Sequence, residues 1–492
     1  MHFGAVDQVA EVFVNGKALL LHKGGYLPFT VEITEAVKRD AENKIEVRVK
    51  DTLSKEYPYG KQRKMRGGMW YTPISGIWQS VWMENVPAHY IEKISIKPNM
   101  EGIHLKLQGE EVSGFVVEIA LSNGEIYQKQ FEGTEADLSL TDYVCADGTH
   151  YTPKLWSTEH PYLYDMKITS GQDTISSYFA LRTIDIRNRE GANRVCLNGK
   201  PIFLHGVLDQ GYYPDGIYLP AEPEEYERDI LRMKELGYNF LRKHIKIEPE
   251  CFYYYCDKHG MLVMQDMVNN GTYSFLFDTA FPGIGMKKRK DTGRKENRTR
   301  AFFKNHTKMT IEHLYNHPSI IAYTIFNEGW GQFNSDAMYE TVKEMDDSRL
   351  VDSTSGWFAQ EKNDFDSEHI YFRTIELPVK ERPMFVSECG GYSRAVEGHY
   401  YSKYNTYGYG GAADEKELTK MITDMYEKMI LPGIENGVCG CVYTQLSDVE
   451  DEINGIYTYD RKICKVVKED MKKLSEKLKL GEDEKWKRKD YY

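Results

Sequence analysis

The sequence contains no run of about 18 apolar residues, the length that a helix needs to cross a membrane. Its 63 Lys and Arg residues are outnumbered by 75 Asp and Glu residues, which gives a formal net charge of −12. Because nucleic acids and anionic membranes bind basic surfaces, neither is expected as the main partner. The first residues, MHFGAVDQVAEVFVNGK, lack the basic region followed by an apolar run that marks a secretory signal. We therefore expect a cytoplasmic protein.

Motifs for disulfides, metals and cofactors are also missing. The eight cysteines form no disulfide framework, and the spacings of Cys251/Cys256 and Cys439/Cys441 fit neither a zinc site nor a redox motif. No GxGxxG loop and no GxxxxGKS or GxxxxGKT loop follows a predicted strand. We expect free thiols in a reducing cytoplasm, no cofactor and no metal site.

Length and hydrophobic periodicity predict three domains. A chain of 492 residues is too long for one compact core. Residues 1–88 contain short alternating segments and a hairpin signal at Asn15-Gly16, which predict a partial jelly-roll sandwich. Residues 89–184 contain further alternating strands with frequent turn residues, which predict an immunoglobulin-like sandwich. An aromatic content of 13% suits both sandwich cores and sugar-binding clefts.

From residue 185 to residue 492, short apolar strands alternate with segments of helix length, the pattern of βα units. The predicted strands are Ile202–Val207, Tyr238–His244, Met261–Met267, Ile320–Glu328, Leu350–Gly356, His369–Arg373, Pro383–Gly391 and Val438–Ser447. Eight strands with mostly helical connections predict a (β/α)8 barrel. A doubly wound open sheet is the alternative, and the missing phosphate loops argue against it.

Two glutamates close apolar strands of the predicted barrel, Glu328 in IIAYTIFNEGW and Glu388 in PMFVSECGG. They belong to the fourth and seventh strands, which face each other, and barrel active sites lie at the carboxyl ends of the strands. Glycoside hydrolysis needs two facing carboxylates, one to protonate the leaving oxygen and one to attack the anomeric carbon or to activate water. The gap between the carboxylates separates retention from inversion, and the residues alone leave both open.

Several segments resemble glycoside hydrolase family 2, the family of β-galactosidases, β-glucuronidases and β-mannosidases. VNGK, GGYLPF and YTPISGIWQSVWME are similar to its sugar-binding sandwich, and LWSTEHPYLY and FALRTIDI to the end of its immunoglobulin-like domain and the entry to its barrel. LNGKPIFLHGV resembles its first barrel strand, and HPSIIAYTIFNEGW and PMFVSECGG resemble its acid/base and nucleophile segments. The resemblance covers nearly the whole chain, in the family's order.

The resemblance implies a retaining reaction through a covalent glycosyl-enzyme. Glu388 would be the nucleophile, and Glu328 would act first as acid and then as base. Asn327 would bond the sugar 2-hydroxyl, Tyr371 would touch the nucleophile, and Arg242 would lie beneath its carboxylate. A structural ion pair in the barrel floor is the alternative for Arg242.

Further sugar contacts are expected where the sequence departs from the family pattern. RKHIKIEP replaces the usual segment after the second strand, so we expect His244 and Lys246 to replace the usual contacts, with packing as the alternative for His244. A threonine stands where a Trp often floors the sugar site, so the neighbouring Gln445 is an expected polar contact. Asp209 is expected at the non-reducing end. Trp357 is expected to stack on sugar, with a buried structural role as the alternative.

The expected substrate is an oligosaccharide or glycoside with a terminal β-galactoside. The barrel loops contain no Asn-x-Lys pair, the feature that marks binders of a uronic carboxylate, although Lys246 or the run Lys287–Lys290 could substitute. β-Glucuronide, galacturonide, mannoside and arabinopyranoside therefore remain alternatives. The alternative of another class is a catalytically silent glycan-binding protein.

Two expectations concern the surface. Family members have several tens more residues before the HFGAVDQVAEVFVNGK segment, so either the start is misassigned, and a signal peptide is lost with it, or the first sandwich is shortened. Exposed edges of a shortened sandwich would favour a homo-oligomer. The irregular stretch Asn269–Gly293 is predicted to be a solvated loop, with a lid over the active site as the alternative.

Overall fold

The computed structural model describes residues 1–189, 191–283, 296–371 and 373–480. The first region is a set of small antiparallel sheets. Its strands are His2–Phe3, Val6–Asp7, Val9–Val14, Lys17–Lys23, Phe29–Thr30, Ile45–Lys50, Gly76–Ile77 and Val81–Trp82. The predicted hairpin joins Val9–Val14 to Lys17–Lys23, and its turn residues Asn15 and Gly16 both have positive φ, as a two-residue hairpin turn requires.

The second region is a sandwich with a hydrophobic core of its own. Its strands are Lys93–Pro98, Gly102–Gln108, Gly114–Ala120, Ile126–Glu132, Glu135–Ser139, Tyr164–Ser170 and Asp173–Phe179. They form one three-stranded and one four-stranded antiparallel sheet. Alternating residues such as Phe115, Val117 and Ile119 are buried between the sheets. A small three-stranded antiparallel sheet then leads into the third region, with strands Ile184–Arg189, Ala192–Leu197 and Lys200–Pro201.

The third region is a parallel eight-stranded (β/α)8 barrel. Barrel strands one to eight are Leu204–Asp209, Phe240–Lys243, Leu262–Asp266, Ile320–Asn327, Leu350–Ser355, Asp366–Ile370, Met384–Gly390 and Val438–Thr444. Parallel ladders join neighbouring strands around the ring, and within the described residues the fifth and sixth strands are the neighbours without a ladder. Nearly every strand residue is buried, as expected for a barrel whose two faces are both covered.

Helices connect most of the strands. They are Glu224–Glu235, Glu250–His259, Phe281–Gly283, Asn297–Leu314, Ser335–Met345, Glu415–Met425, Leu431–Glu435 and Lys468–Leu478, with π-helical turns at Phe275–Ala280 and Tyr426–Ile430. The sixth strand was predicted at His369–Arg373 but begins at Asp366, because Asp366 and Ser367 pair with Met384 and Phe385 of the seventh strand. In the described part of the chain, no helix is long and apolar enough to cross a membrane.

The first region packs directly on the barrel. Tyr71 donates a hydrogen bond to the Glu452 carboxylate, and Arg66 Nη1 lies 2.9 Å from Asp451 Oδ2. One continuous hydrophobic core contains side chains of both regions, among them Trp70 and Trp330 with ring centroids 5.2 Å apart. The acidic loop after the eighth strand therefore holds the first sandwich against the mouth of the barrel.

Candidate active site

Glu328 and Glu388 meet at the mouth of the barrel. Glu328 directly follows the fourth strand, and Glu388 lies in the seventh. Glu328 has a φ of 52°, a left-handed conformation that is uncommon outside glycine and is often found at active sites. One carboxylate oxygen of each glutamate and a ring nitrogen of His369 lie within 4.8 Å of one another. The two carboxyl groups therefore act on one shared space.

The Glu388 carboxylate is held in its ionised form. Arg242 Nη1 donates to Oε1 at 3.0 Å, and the Tyr371 hydroxyl donates to Oε2. Burial by itself raises the pKa of this carboxyl, but its interactions with His369, Arg242 and His244 and the hydrogen bond from Tyr371 outweigh burial and lower the pKa to about 2. An ionised carboxylate in a dry site is the form that a nucleophile needs.

Arg242 orients several groups of the site at once. Its Nε donates to Asp266 at 3.0 Å, and its Nη2 donates to Asn327 Oδ1 at 2.9 Å. Because the Asn327 oxygen accepts from Arg242, the orientation of its amide is fixed and the NH2 group is directed to the other side. His244 Nδ1 lies 2.8 Å from the second oxygen of Asp266.

Glu328 contacts two groups that the sequence did not single out. His369 Nδ1 lies 2.9 Å from Glu328 Oε1 and 3.5 Å from Glu388 Oε2, so the imidazole bridges the two carboxylates. Thr279 donates to Glu328 Oε2 at 3.3 Å. Spacing of this kind could hold a cation, but Arg242 already neutralises Glu388. We therefore interpret the cluster as a set of groups that share protons.

Asp209 and Lys246 lie in a separate buried network beside the site. Lys243 bridges Asp209 at 2.8 Å and Glu248 at 2.6 Å. Lys246 donates to the carbonyls of residues 211 and 218, each at 2.6 Å, and contacts Glu248 at 2.8 Å. Three acceptors match the three hydrogens of an ammonium group, and Lys246 is 1% exposed. In this structure its charge is used to hold loops together.

Trp357 and Gln445 lie beside the cluster of Glu328, His369 and Glu388 and its contact Tyr371. The Trp357 ring lies 5.2 Å from the His369 ring in an edge-on arrangement, and its indole nitrogen donates to the carbonyl of residue 278. Gln445 donates to Asn454 at 2.8 Å, and the threonine before it lies 3.2 Å from the Tyr371 hydroxyl. Of the stretch Asn269–Gly293, predicted to be a solvated loop with a lid as the alternative, residues 269–283 include Thr279, while residues 284–293, with Lys287–Lys290, lie outside the described residues.

Two of the missed residues carry signals of unequal clarity. His369 stands two positions before Tyr371, a spacing that places both side chains on one face of a strand and could have identified it. Lys61 comes from the first sandwich, and its sequence context, GKQRKMRGG, indicates only a basic loop. Its position emerges from packing between regions far apart in sequence.

Lys61 is a buried cation at the mouth of the barrel. It is 8% exposed, and its ammonium lies 3.8 Å from a methionine sulfur and 5.8 Å from the centre of the Trp70 ring. Among the described residues no carboxylate lies within 4.0 Å of it. Its charge acts on His244 and Glu452. The neighbouring Gly60 packs against the carbonyl of residue 245, which follows the second barrel strand.

Comparisons with known proteins agree with this architecture. The model "Glycosyl hydrolases family 2, TIM barrel domain" matches residues 188–429, and the model "Glycosyl hydrolases family 2" matches residues 89–182. The chain is 27% identical to a beta-galactosidase of Thermoanaerobacter pseudethanolicus over 283 residues, 54% of this chain and 36% of that protein. It is 25% identical to a beta-galactosidase of Vibrio vulnificus over 504 residues, 94% of this chain and 45% of that protein. It spans less than half the length of these relatives.

Solved structures show the same fold. The beta-D-glucuronidase of Dictyoglomus thermophilum superposes with a TM-score of 0.72 at 19% identity, covering 97% of this chain and 86% of that chain. The family 2 beta-galacturonidase of Eisenbergiella tayi, bound to galacturonate, superposes with a TM-score of 0.67 at 19% identity, covering 96% and 86%. Together with the two family models, which match the barrel and the sandwich before it, these findings establish that the chain belongs to glycosyl hydrolase family 2.

Proposed function

We propose that this chain is a retaining exo-β-glycosidase in which Glu388 is the nucleophile and Glu328 is the acid/base. The observation that carries the proposal is the closeness of the two carboxylates, since one oxygen of Glu328 and one oxygen of Glu388 lie within 4.8 Å of each other. Retaining enzymes hold their carboxyl groups about 5–5.5 Å apart, whereas inverting enzymes leave about 6.5–9.5 Å for a water molecule. The shorter gap favours direct attack on the anomeric carbon.

The surroundings of each carboxylate support its proposed role. Glu388, ionised by Arg242 and Tyr371, attacks the anomeric carbon while Glu328 protonates the leaving oxygen. In the second step Glu328 takes a proton from water, and the water displaces Glu388 from the sugar. Asn327, whose oxygen accepts from Arg242, has its NH2 group available to donate to the sugar 2-hydroxyl.

Other predicted contacts belong to the proposal with more limited roles. Trp357 forms an aromatic wall beside the sugar, and Gln445 and His244 supply polar atoms at its edge. Asp209 and Lys246 act indirectly, through the loops that they hold. The first candidate glycone is a β-galactoside, which the names of the two sequence relatives support, whereas the two solved structures are named for uronides.

A β-uronide is the second candidate glycone, and Lys61 is the observation that favours it. A cation that is 8% exposed and lacks a carboxylate partner among the described residues is costly to bury unless a ligand supplies the opposite charge. A uronic carboxylate bound at the mouth of the barrel would supply it. In that case Lys61 of the first sandwich supplies the cation for the uronic carboxylate, in place of the Asn-x-Lys pair that the barrel loops lack.

The first experiment is turnover of a panel of nitrophenyl β-glycosides, with galactoside, glucuronide, galacturonide, mannoside, glucoside and arabinopyranoside. We expect release from one glycone. Glu388→Ala should abolish turnover, and azide should restore it with inversion, whereas Glu328→Ala should spare substrates with good leaving groups. Silence across the panel from folded protein would favour the glycan-binding alternative, and full activity in both variants would contradict the assignment.

Lys61→Met distinguishes the two glycones. If the substrate is a uronide, the variant should lose about 100-fold in kcat/KM for it, as expected when a buried charge-assisted contact is removed. Lys64→Met is the matched control, since Lys64 is exposed in the same loop. A galactoside-specific enzyme whose uronide rate is zero before and after the change would exclude the second candidate.

A further inference from the structure

A continuous chain of hydrogen bonds runs from the catalytic cluster into the barrel core. His369 Nε2 lies 3.0 Å from Ser355 Oγ, and Ser355 Oγ lies 3.0 Å from Ser387 Oγ. Ser387 Oγ lies 2.7 Å from Ser367 Oγ, which lies 2.7 Å from Asp352 Oδ2. All five residues are buried, and they come from the fifth, sixth and seventh barrel strands. The chain thus joins an interior carboxylate to the histidine between the two glutamates.

The hydrogens of this chain follow from counting donors. Each hydroxyl has one hydrogen. Ser367 gives its hydrogen to Asp352, so the 2.7 Å bond between Ser387 and Ser367 takes the hydrogen of Ser387 in preference to the Glu368 carbonyl at 3.4 Å. Ser355 must then donate to Ser387. Ser355 then accepts from His369, whose hydrogen is therefore on Nε2. The bond from Asn363 Nδ2 to Asp352 Oδ1, at 3.1 Å, leaves both carboxylate oxygens as acceptors.

This arrangement has a consequence for Glu328. With a hydrogen on Nε2, the neutral imidazole presents an acceptor at Nδ1, 2.9 Å from Glu328 Oε1. A contact of that length requires a proton between the two atoms, and when the imidazole is neutral that proton belongs to Glu328. We propose that Asp352, acting through Ser367, Ser387 and Ser355, sets the tautomer of His369 so that Glu328 keeps the proton it gives to the leaving group. This inference rests on the proposed acid role of Glu328.

The same geometry assists both halves of the reaction. In the first step the proton between Glu328 and His369 moves to the leaving oxygen, as the glycosidic bond breaks. Glu328 is then a carboxylate facing the lone pair of Nδ1, an unfavourable contact. That contact is relieved when Glu328 takes a proton from the attacking water, whose oxygen bonds to the anomeric carbon as the bond from that carbon to Glu388 breaks and Glu388 leaves as a carboxylate. The positions of the hydroxyl hydrogens remain the same throughout.

Other charged and titratable groups face this chain from every side. Around the Glu328–His369 pair these are Glu388, Arg242, Tyr371, Tyr273, Tyr407 and Tyr409, and around Asp352 they are Arg242, His369 and Cys439. Arg242 Nη1 lies 3.5 Å from His369 Nε2, but its two hydrogens go to Glu388 and to the carbonyl of residue 387. It therefore competes weakly for Nε2.

Asp352→Asn is the substitution that tests the proposal. Asn363 still donates to position 352, so the new amide keeps its oxygen toward Asn363 and turns its NH2 group toward Ser367. Every hydroxyl must then reverse, and His369 must accept at Nε2 and carry its hydrogen on Nδ1. That hydrogen stabilises Glu328 as a carboxylate. Burial raises the pKa of Asp352, with Ser367 and Arg242 opposing it, so protonation of Asp352 in acid would reverse the chain in the same way.

The expected result is a selective loss of acid catalysis. For Asp352→Asn the basic limb of the kcat/KM profile should move at least about one pH unit lower, which corresponds to about tenfold. The methyl glycoside of the glycone found in the panel should lose about tenfold in kcat, and the 2,4-dinitrophenyl glycoside less than about twofold, because that leaving group needs little protonation. Equal losses for both substrates, or an unmoved pH profile, would overturn the proposal.

Two further variants distinguish an effect transmitted through the hydrogen-bond chain from an effect of altered packing. Ser387→Ala breaks the chain without changing charge and should shift the basic limb in the same direction. Ser353→Ala is the matched control, since Ser353 is a buried serine of the fifth strand whose hydroxyl donates to the carbonyl of residue 362. It should leave the profile unchanged. A shift of equal size in the control would assign the effect to packing.

A measurement without substrate separates this inference from the proposed function. Nitrogen-15 NMR of labelled histidines, with His369→Asn used to assign the signal, reports which ring nitrogen carries hydrogen. We expect Nε2–H in the unchanged protein and Nδ1–H in Asp352→Asn. Nδ1–H in both proteins would overturn the proposed control of the His369 tautomer by Asp352, even if the protein is an active glycosidase. If the tautomer changes in Asp352→Asn but the protein hydrolyses no glycoside, the role of Asp352 is supported and the proposed function is rejected.

Discussion

At the scale of single residues, Arg242 holds the charge of Glu388, the proposed nucleophile. Its guanidinium reaches Glu388, Asp266 and Asn327 at once, which a lysine cannot do. We expect Arg242→Lys to raise the pKa of Glu388 from about 2, so the acid limb of the kcat/KM profile should move to higher pH, with a loss of about 100-fold at neutral pH.

The pH dependence of stability gives a second measurement for the same variant. The pKa of Glu388 is depressed in the folded protein relative to about 4.3 in an unfolded chain, so its ionisation stabilises the fold above that value. This stabilisation is lost as the pH falls toward 2, and Arg242→Lys should reduce it. Arg182→Lys is a suitable control, because Arg182 is equally buried but bonds the carbonyls of residues 318 and 320. An acid limb that stays in place would contradict the role of Arg242.

The sequence predicts residues whose position follows from a strand. It does not predict a contact whose second residue belongs to another loop or strand. The proposed catalytic pair could be selected from the sequence because Glu328 directly follows one apolar barrel strand and Glu388 lies near the end of another. Lys246 is predicted as a sugar contact from its place after the second strand, but the carbonyls that take its hydrogens lie in another loop. The sequence gives no signal for Asp352, since its proposed role depends on Ser367, which contacts it, and on the two serines that continue the chain to His369.

At the scale of elements, the loop after the second barrel strand, residues 244–249, is held by buried charge. Lys246 and Lys243 share Glu248, and a side chain at residue 211 would lie 2.1 Å from that carboxylate, which explains the glycine there. Lys246→Met should lower the free energy of unfolding by about 3 kcal/mol, because it removes one partner from a buried ion pair. KM for the nitrophenyl substrate should change less than twofold.

Denaturant unfolding and initial-rate kinetics on the same preparation test this prediction. Lys258→Met is the control, since Lys258 forms an exposed pair with Glu227 and should cost less than about 1 kcal/mol. A large rise in KM with unchanged stability would indicate instead that Lys246 contacts the substrate directly. Periodicity identifies this strand and its helix, but the position of the loop between them depends on contacts with the loop after the first strand.

At the scale of the whole molecule, the order of the three regions could be predicted from the sequence. Which of them share a hydrophobic core could not. Alternation with period two indicates both sandwiches, and the change to βα units indicates the barrel. The second sandwich has its own core, whereas the first shares one with the barrel. That difference depends on pairs such as Tyr71 and Glu452, which are far apart in sequence.

The shared core predicts how the molecule unfolds. Tyr71→Phe removes a buried hydrogen bond to the Glu452 carboxylate, which should cost about 1.5–3 kcal/mol. In calorimetry the first sandwich and the barrel should unfold in one transition whose midpoint falls in this variant, while the transition of the second sandwich stays in place. Tyr143→Phe, in the second sandwich, is the control for the shared transition. If Tyr71→Phe moved no transition, the first sandwich would be a separate unit, and Lys61 would lack the fixed position from which it is proposed to read the glycone.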